Sequence, residues 1–266
     1  MMAKPSWPCF RTLAKDTCPP LCSNNVMEDT LRRLIKFMNR IAFPGIFGES
    51  NPESDKLCVE SIIIGLSDRG KTDIFMSRIP EICRLLNTDV DAVMHNDPAV
   101  TSREEVIVCY PAIKEMVHYR TAHELLALGI PTVPRLLTEM AHSATGIDIH
   151  PAAEIGEYFG IDHGTGIVVG ATSIIGSHVM LYQGVTLGAK NFRHDEKGNP
   201  INEPRHPILE DNVTVYSNTS ILGRVRIGHD TIIGGNVWLT HDVPPHSRIL
   251  QSQAIVEPLF NCGAGI

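Results

Sequence analysis

L-E-D-N-V-T-V-Y-S-N-T-S-I-L-G-R-V-R-I-G-H-D-T-I-I-G-G-N-V-W-L-T-H-D-V, residues 209–243, carries an aliphatic side chain at every sixth position: Leu209, Val215, Ile221, Ile227, Ile233 and Leu239. Four places after each stands a small or β-branched residue: Val213, Thr219, Val225, Thr231, Val237 and Val243. Helices repeat at 3.6 residues and strands at 2, so neither produces sixes. A hexapeptide repeat does, because short strands that turn a corner every six residues build a prism filled by stacked aliphatic side chains. Three hexads close one coil, so residues eighteen apart stack, as Ile221 does on Leu239 and Val215 on Ile233. Such prisms wind left-handed, against the usual hand of parallel β crossovers.

Towards the N-terminus the sixes continue through Ile149, Ile155, Ile161 and Ile167, slip by two, and resume at Val169, Ile175, Leu181 and Leu187. Phe159 and Asn191 depart from the small or β-branched pattern. Between the two runs, a polar loop at about 190–207 breaks the repeat and leaves it through Arg205-His206-Pro207. A polar loop thrown out of a rigid scaffold is a common place for substrate contacts.

Before Ile147 the period is helical. Asn25 and Glu28 fit a capping box, and Leu31, Leu34, Ile35, Met38, Ile41 and Ala42 follow at helical spacing until Pro44-Gly45. Further helices are predicted at about 54–66, 72–87, 89–95, 111–128 and 132–142, with Pro80 opening a turn. The predicted fold is therefore α+β: an irregular leader at 1–24, an all-helical domain at 25–146, a left-handed parallel β-helix at 147–248 with the loop 190–207, and a tail at 249–266.

The chain has 266 residues, 43% hydrophobic and 20% charged, as expected of a soluble globular protein. Its apolar runs are too short to span a membrane, and no apolar stretch follows Lys4 and Arg11 to make a secretory signal. A formal charge of −7 without a long basic run argues against a nucleic-acid partner. Seven cysteines at irregular spacing read as reduced thiols in a cytoplasmic protein, with no metal site expected.

A prism has no deep pocket, so its sites lie along grooves, commonly between subunits. Three candidate groups are close in the repeat region: Asp148 in I-D-I-H-P, Asp162-His163 in I-D-H-G-T-G, and Arg205-His206. Histidine titrates near working pH and is the usual base for an alcohol, and a carboxylate on its far nitrogen would orient it. Asp148 precedes His163 by fifteen residues, close to one coil. Arg205 offers a planar fork for a carboxylate, and Asp162 an anion for an ammonium group. Three other readings stay open at this level. One is a zinc hydratase using His206, His241 and His246, whose spacing fits the coils poorly. The others are transfer to homoserine or a sugar, and a non-catalytic scaffold.

The runs I-D-I-H-P-A-A-E-I-G, I-D-H-G-T-G-I-V-V-G, Q-G-V-T-L-G, R-H-P and V-P-P-H resemble bacterial and plant serine acetyltransferases, as do Asp97-Pro98-Ala99 and Tyr119-Arg120-Thr121-Ala122-His123 upstream. The resemblance covers about residues 25–250. It implies acetyl transfer from acetyl-CoA to the hydroxyl of L-serine (EC 2.3.1.30), the first step of cysteine biosynthesis, through a ternary complex without an acyl-enzyme. By position it implies that His163 is the general base, paired with Asp148. Asp162 and His206 would form a second pair at the serine site, and Arg205 would hold the serine carboxylate. Asp97, from the helical half of a neighbouring chain, would help hold the amino group. Gly188 would offer a backbone N–H near the thioester, and Ser217 and Gly235 would line the coenzyme A groove. The resemblance further implies a dimer of trimers, feedback inhibition by L-cysteine, and docking of O-acetylserine sulfhydrylase on the C-terminal Ile266. The sequence departs from the family at Ala189, Ala171 and the S-R-I-L-Q-S-Q-A segment after His246, which leaves the coenzyme's outer contacts unassigned.

Overall fold

The computed structural model describes residues 26–49, 51–191, 193–199, 201 and 203–252. The Asn25 cap, the 1–24 leader and the C-terminal Ile266 lie outside them. Six helices come first: α1 (Val26–Ala42), α2 (Pro52–Leu66), α3 (Arg69–Asn96), α4 (Arg103–Cys109), α5 (Pro111–Ala127) and α6 (Val133–Thr145). Side chains cap three of their N-termini. Asn51 accepts the amides of Glu53 and Ser54, Asp68 that of Lys71, and Ser102 that of Glu105.

Two expectations fail here, the first being that 72–87 and 89–95 are separate helices. Pro80 does not open a turn: α3 runs unbroken from Arg69 through it to Asn96. Ile79, Ile82, Leu86, Val90 and Val93 are all buried on this helix, and that continuous apolar face outweighs the proline's cost. The seven-residue α4 has no long periodic run to announce it.

Fourteen short strands follow. They are β1 (Asp148–Ile149), β2 (Glu154–Ile155), β3 (Gly160–Asp162), β4 (Val168–Val169), β5 (Ile174–Ile175), β6 (Met180–Tyr182) and β7 (Thr186–Gly188), then β8 (Ile208–Leu209), β9 (Thr214–Val215), β10 (Ser220–Leu222), β11 (Arg226–Ile227), β12 (Ile232–Ile233), β13 (Trp238–Leu239) and β14 (Arg248–Ile249). They stack into three parallel faces: face A is β1-β4-β7-β10-β13, face B is β2-β5-β8-β11, and face C is β3-β6-β9-β12-β14. This is the left-handed β-helix read from the sixes, and β14 carries it one residue past the predicted boundary. Each hexad aliphatic points inward; Ile149, Val169, Leu187, Ile221 and Leu239 are at most 2% exposed on face A.

The register measures every coil. Val168 pairs with Thr186 and Ser220 with Trp238, each eighteen residues on. The first coil is longer by two, since Asp148 pairs with Val168. The third carries the loop, since Thr186 pairs with Ser220. The last is shorter by two, since Ile232 pairs with Arg248. Ile167, read as a hexad start, instead fills the inward corner place that Val185 takes one coil later. Its carbonyl accepts from Asp148 N–H as that of Val185 accepts from Val168.

The helical half docks on the first coil through the segment Tyr119–His123. The Tyr119 hydroxyl donates to Ala153 O at 2.6 Å, and Arg120 donates to Ile155 O and Gly156 O at 3.1 and 2.7 Å. Arg120 also grips Asp89 of α3 through two bonds of 2.8 Å, and Asp89 accepts the Phe159 amide. The ring of His123 meets Pro151 O at 2.8 Å. Phe159 breaks the small-residue pattern because it is covered by this junction, at 1% exposure.

Candidate active site

The candidate residues gather where the repeat is broken. The two extra residues of the first coil lie in the corner 163–167 between β3 and β4, on the edge shared by faces C and A. His163 stands there with a side chain 72% exposed, its Nδ1 3.8 Å from Asp162 Oδ1. Its φ is +57°, followed by Gly164 at +91° and Gly166 at +79°. The left-handed conformation is costly for a residue with a Cβ, and the two glycines absorb the rest of the turn. The Gly166 amide then bonds back to Gly146 O at 2.8 Å, closing the enlarged corner onto the end of α6.

Asp97 faces this corner from the C-terminus of α3. Tyr110 donates its hydroxyl to Asp97 Oδ2 at 2.5 Å, and the Ala99 amide donates to Oδ1 at 2.8 Å. The Tyr110 bond, then the Ala99 bond, hold the Asp97 carboxyl below its ordinary range, and the charge of His163 adds to this. Asp162 and Asp97 both bear on Tyr182, whose ring stacks on Tyr216 at 4.8 Å. Asp97 was expected from a neighbouring chain; here it stands beside His163 of its own chain. Tyr110 had no sequence signal.

The second break, 189–207 between β7 and β8, lies on the opposite edge of face A. His206 is 7% exposed and packs flat on Gly170, where an added Cβ would come within 1.9 Å of the ring. The Thr172 amide donates to His206 Nδ1 at 3.1 Å, so Nδ1 is an acceptor and the proton sits on Nε2. The Thr172 hydroxyl, 2.8 Å from Nδ1, accepts the amides of Arg205 and His206 at 2.9 and 3.1 Å. Its own hydrogen is therefore left for the ring. Arg224 donates to Thr172 O and His206 O. Burial, then the charge of Arg205, His150 and Arg224, pushes His206 down to about 4, so it is neutral at pH 7. Thr172 and Arg224 were not anticipated, since no motif marks a hydroxyl or guanidinium that bonds to backbone groups distant in sequence.

Asp148 stands in the outward column of face A between these edges, 3.5 Å from Arg135 of α6. Among the described residues, no hydrogen bond or ion pair joins Asp148 to His163 or Asp162 to His206. Ser217 and Gly235 lie further along the His163 edge, one coil apart, and a Cβ on Gly235 would sit 3.2 Å from Ser217 O. That closeness leaves a shallow track beside Ser217, where position 235 carries no side chain. Gly188 ends β7 opposite Leu222, on face A. His206 and His241 share no ligand cluster among the described residues of the single chain.

The prism and its broken corners define a hexapeptide-repeat transferase, and a family model described as "Bacterial transferase hexapeptide (six repeats)" matches residues 206–241. The plasmid serine acetyltransferase of Synechococcus elongatus is 50% identical over 196 residues, 73% of this chain and 61% of that relative. The serine acetyltransferase of Bacillus subtilis is 38% identical over 167 residues, 63% of this chain and 73% of that one. Serine acetyltransferase 1 of Entamoeba histolytica, solved in complex with L-cysteine, superposes with a TM-score of 0.74 at 29% identity, covering 85% of this chain and 98% of that one. The chain belongs to the serine acetyltransferase family. It spans a little under two thirds of its cyanobacterial plasmid relative.

Proposed function

We propose that this protein transfers the acetyl group of acetyl-CoA to the hydroxyl of L-serine, giving O-acetyl-L-serine and CoA for cysteine biosynthesis. The observation that carries the reading is the division of labour between the two broken corners. One presents an exposed histidine beside the carboxylates of Asp162 and Asp97; the other presents a neutral histidine beside Arg205.

In this reading His163 takes the proton of the serine hydroxyl as its oxygen attacks the thioester carbonyl. The tetrahedral intermediate collapses with cleavage of the C–S bond, and His163 returns the proton to the departing thiolate. Asp162 and Asp97 receive the serine ammonium, and Arg205 its carboxylate. His206 contributes as an Nε2–H donor, because Thr172 occupies its other nitrogen. The track past Ser217 and Gly235 takes the coenzyme, with Gly188 near the thioester.

The two corners lie on opposite edges of face A, so a threefold assembly that sets one prism's His163 edge against the next prism's His206 edge would complete each site. There Asp148 and Asp162 would find the histidines that resemblance pairs with them. Pairing of such trimers through the helical halves gives the hexamer. L-cysteine differs from L-serine by one atom, so the same ammonium and carboxylate contacts would hold it as a feedback inhibitor. Among the described residues no helix is long and apolar enough to cross a membrane, and Cys58, Cys83 and Cys109 are free thiols; the cytoplasmic reading rests on the sequence. Docking of O-acetylserine sulfhydrylase on Ile266 rests on the sequence alone.

The test is thiol release from acetyl-CoA with L-serine, L-homoserine or no acceptor. Release that requires serine supports the reading. Release with homoserine alone moves the acceptor, and none with any acceptor returns the chain to a scaffold. Mixing inert His163→Asn and Arg205→Ala chains under subunit exchange should restore part of the activity. Failure to do so would mean that each site lies within one chain.

A further inference from the structure

The third edge of the prism, between faces B and C, takes no part in the reaction proposed above, yet it gathers ligating side chains in the last two coils. The shortened final coil is the cause. With Ile233 paired to Ile249 instead of a residue eighteen on, His246 lands against Asp230, the corner residue of the coil before. The His246 amide donates to His229 O at 2.9 Å, which fixes the two coils together at this point. Asp230 and His246 both hold positive φ, +56° and +57°, and their side chains stand 42% and 71% exposed off the edge.

The ligand atoms converge. His229 Nδ1 lies 2.6 Å from Asp230 Oδ2, and His246 Nδ1 lies 3.7 Å from the same oxygen. The two imidazoles meet edge to face, with centroids 4.8 Å apart. One donor atom from each of the three residues lies within 4.8 Å of the other two. Asn212 donates to Asp230 Oδ1 at 3.0 Å, which orients the carboxylate and leaves Oδ2 for the histidines. Glu210 accepts the His229 amide at 3.0 Å and engages Arg226 at 2.8 Å, so the neighbouring guanidinium is neutralised locally.

We propose that His229, Asp230 and His246 bind one divalent transition-metal ion of the zinc, nickel or copper kind, clasping the terminal coil to the coil before it. Bonds of about 2.0–2.2 Å to nitrogen and oxygen place ligand atoms roughly 3–3.5 Å apart. The 3.7 Å separation is close to that already. The 2.6 Å one widens when the metal replaces the proton shared by His229 and Asp230. Two imidazoles with one carboxylate favour these metals over magnesium or calcium, which prefer all-oxygen shells. Water completes the coordination at this exposed edge. The set is distinct from the His206–His241–His246 combination considered above, sharing only His246.

The test uses the full chain, stripped with chelator and titrated with Zn²⁺, then with Co²⁺ as a spectroscopic stand-in. One Zn²⁺ should bind per chain and raise the melting temperature. The variant His229→Gln/His246→Asn, whose Asn tolerates the left-handed corner, should weaken binding by ~100-fold or more, beyond what loss of an outer-shell partner costs. It should also lose the metal-dependent rise in melting temperature and leave acetyl transfer unchanged. Absence of Zn²⁺ binding, binding undiminished in the double variant, or a thiolate-to-metal charge-transfer band in the Co²⁺ adduct would each overturn the site.

Discussion

The corner between β6 and β7 and the corner between β3 and β4 lie one above the other on the edge shared by faces C and A. The first, 183–185, is the short turn that the regular repeat requires. The second, 163–167, has two more residues, and those two lift His163 into solvent with its side chain 72% exposed. Across face A the contrast recurs at larger scale: 223–225 turns tightly between β10 and β11, whereas 189–207 makes a loop and delivers Arg205 and His206 at its end. Regular corners keep the prism together, and broken corners carry the groups capable of chemistry.

The largest effect should come from asking whether that contrast holds on one edge. His163→Asn keeps a residue that tolerates positive φ but removes the base, and should lower kcat/KM by about 10³ with the melting temperature little changed. Asn218→Ala, at a regular corner with φ +59°, should do the reverse: activity retained, stability reduced by about 1–2 kcal/mol from the left-handed backbone. Equal activity losses in both would break the comparison. Next, Gly170→Ala drives a methyl into the ring of His206. Displacing that ring by an ångström should cost on the order of 10² in rate, in steady-state assays with saturating acetyl-CoA. A near-normal rate would show that the seat on Gly170 is not needed.

A third prediction compares prism with helical half. Arg120→Met leaves Asp89 buried without its partner and should destabilise the protein by about 3–5 kcal/mol in chemical denaturation. Asp89 and Arg120 are 0% and 4% exposed at this junction, and a small loss would mean that the two halves do not depend on it.

The smallest effects concern pH, and the two halves should respond in opposite directions. His206, pushed down to about 4 chiefly by burial, resists a proton that the unfolded chain accepts near 6.5. Its contribution to stability is therefore full above 6.5 and lost as pH falls towards 4. Glu115, 0% exposed and pushed up to about 8 by burial, keeps a proton that the unfolded chain sheds near 4.5. Its contribution is full below 4.5 and lost as pH rises through 8. Glu115→Gln should flatten the alkaline limb of a melting-temperature profile and leave the acid limb alone. A change confined to the acid limb would contradict the assignment.

Much of this was legible in the sequence. The sixes specify the prism because its interior admits only a stacked aliphatic core. The two-residue slip is visible too, but the aliphatic spacing puts it after Ile167, one hexad later than the enlarged corner 163–167 that produces it. What remained hidden has physical reasons. Pro80 reads as a breaker until the buried face of α3 is seen to outweigh it. Thr172 supports His206 from 34 residues away in sequence through a hydroxyl and an amide, and no motif encodes that. Tyr110, between α4 and α5, reaches back past α4 to Asp97, a contact fixed by tertiary packing. The position of Asp97 relative to its own chain's His163 likewise depends on how the helical half docks, which periodicity does not express.

The register of the coils bears on how such a protein changes over evolutionary time. Because each strand pairs only with the one directly above and below it, extra residues at a corner leave every later rung aligned, as Thr186 against Ser220 shows across the whole loop. Length can therefore be added or removed at the edges without rewriting the interior. A lineage built on this ladder can try out new loops one at a time, each trial insulated from the scaffold that bears it.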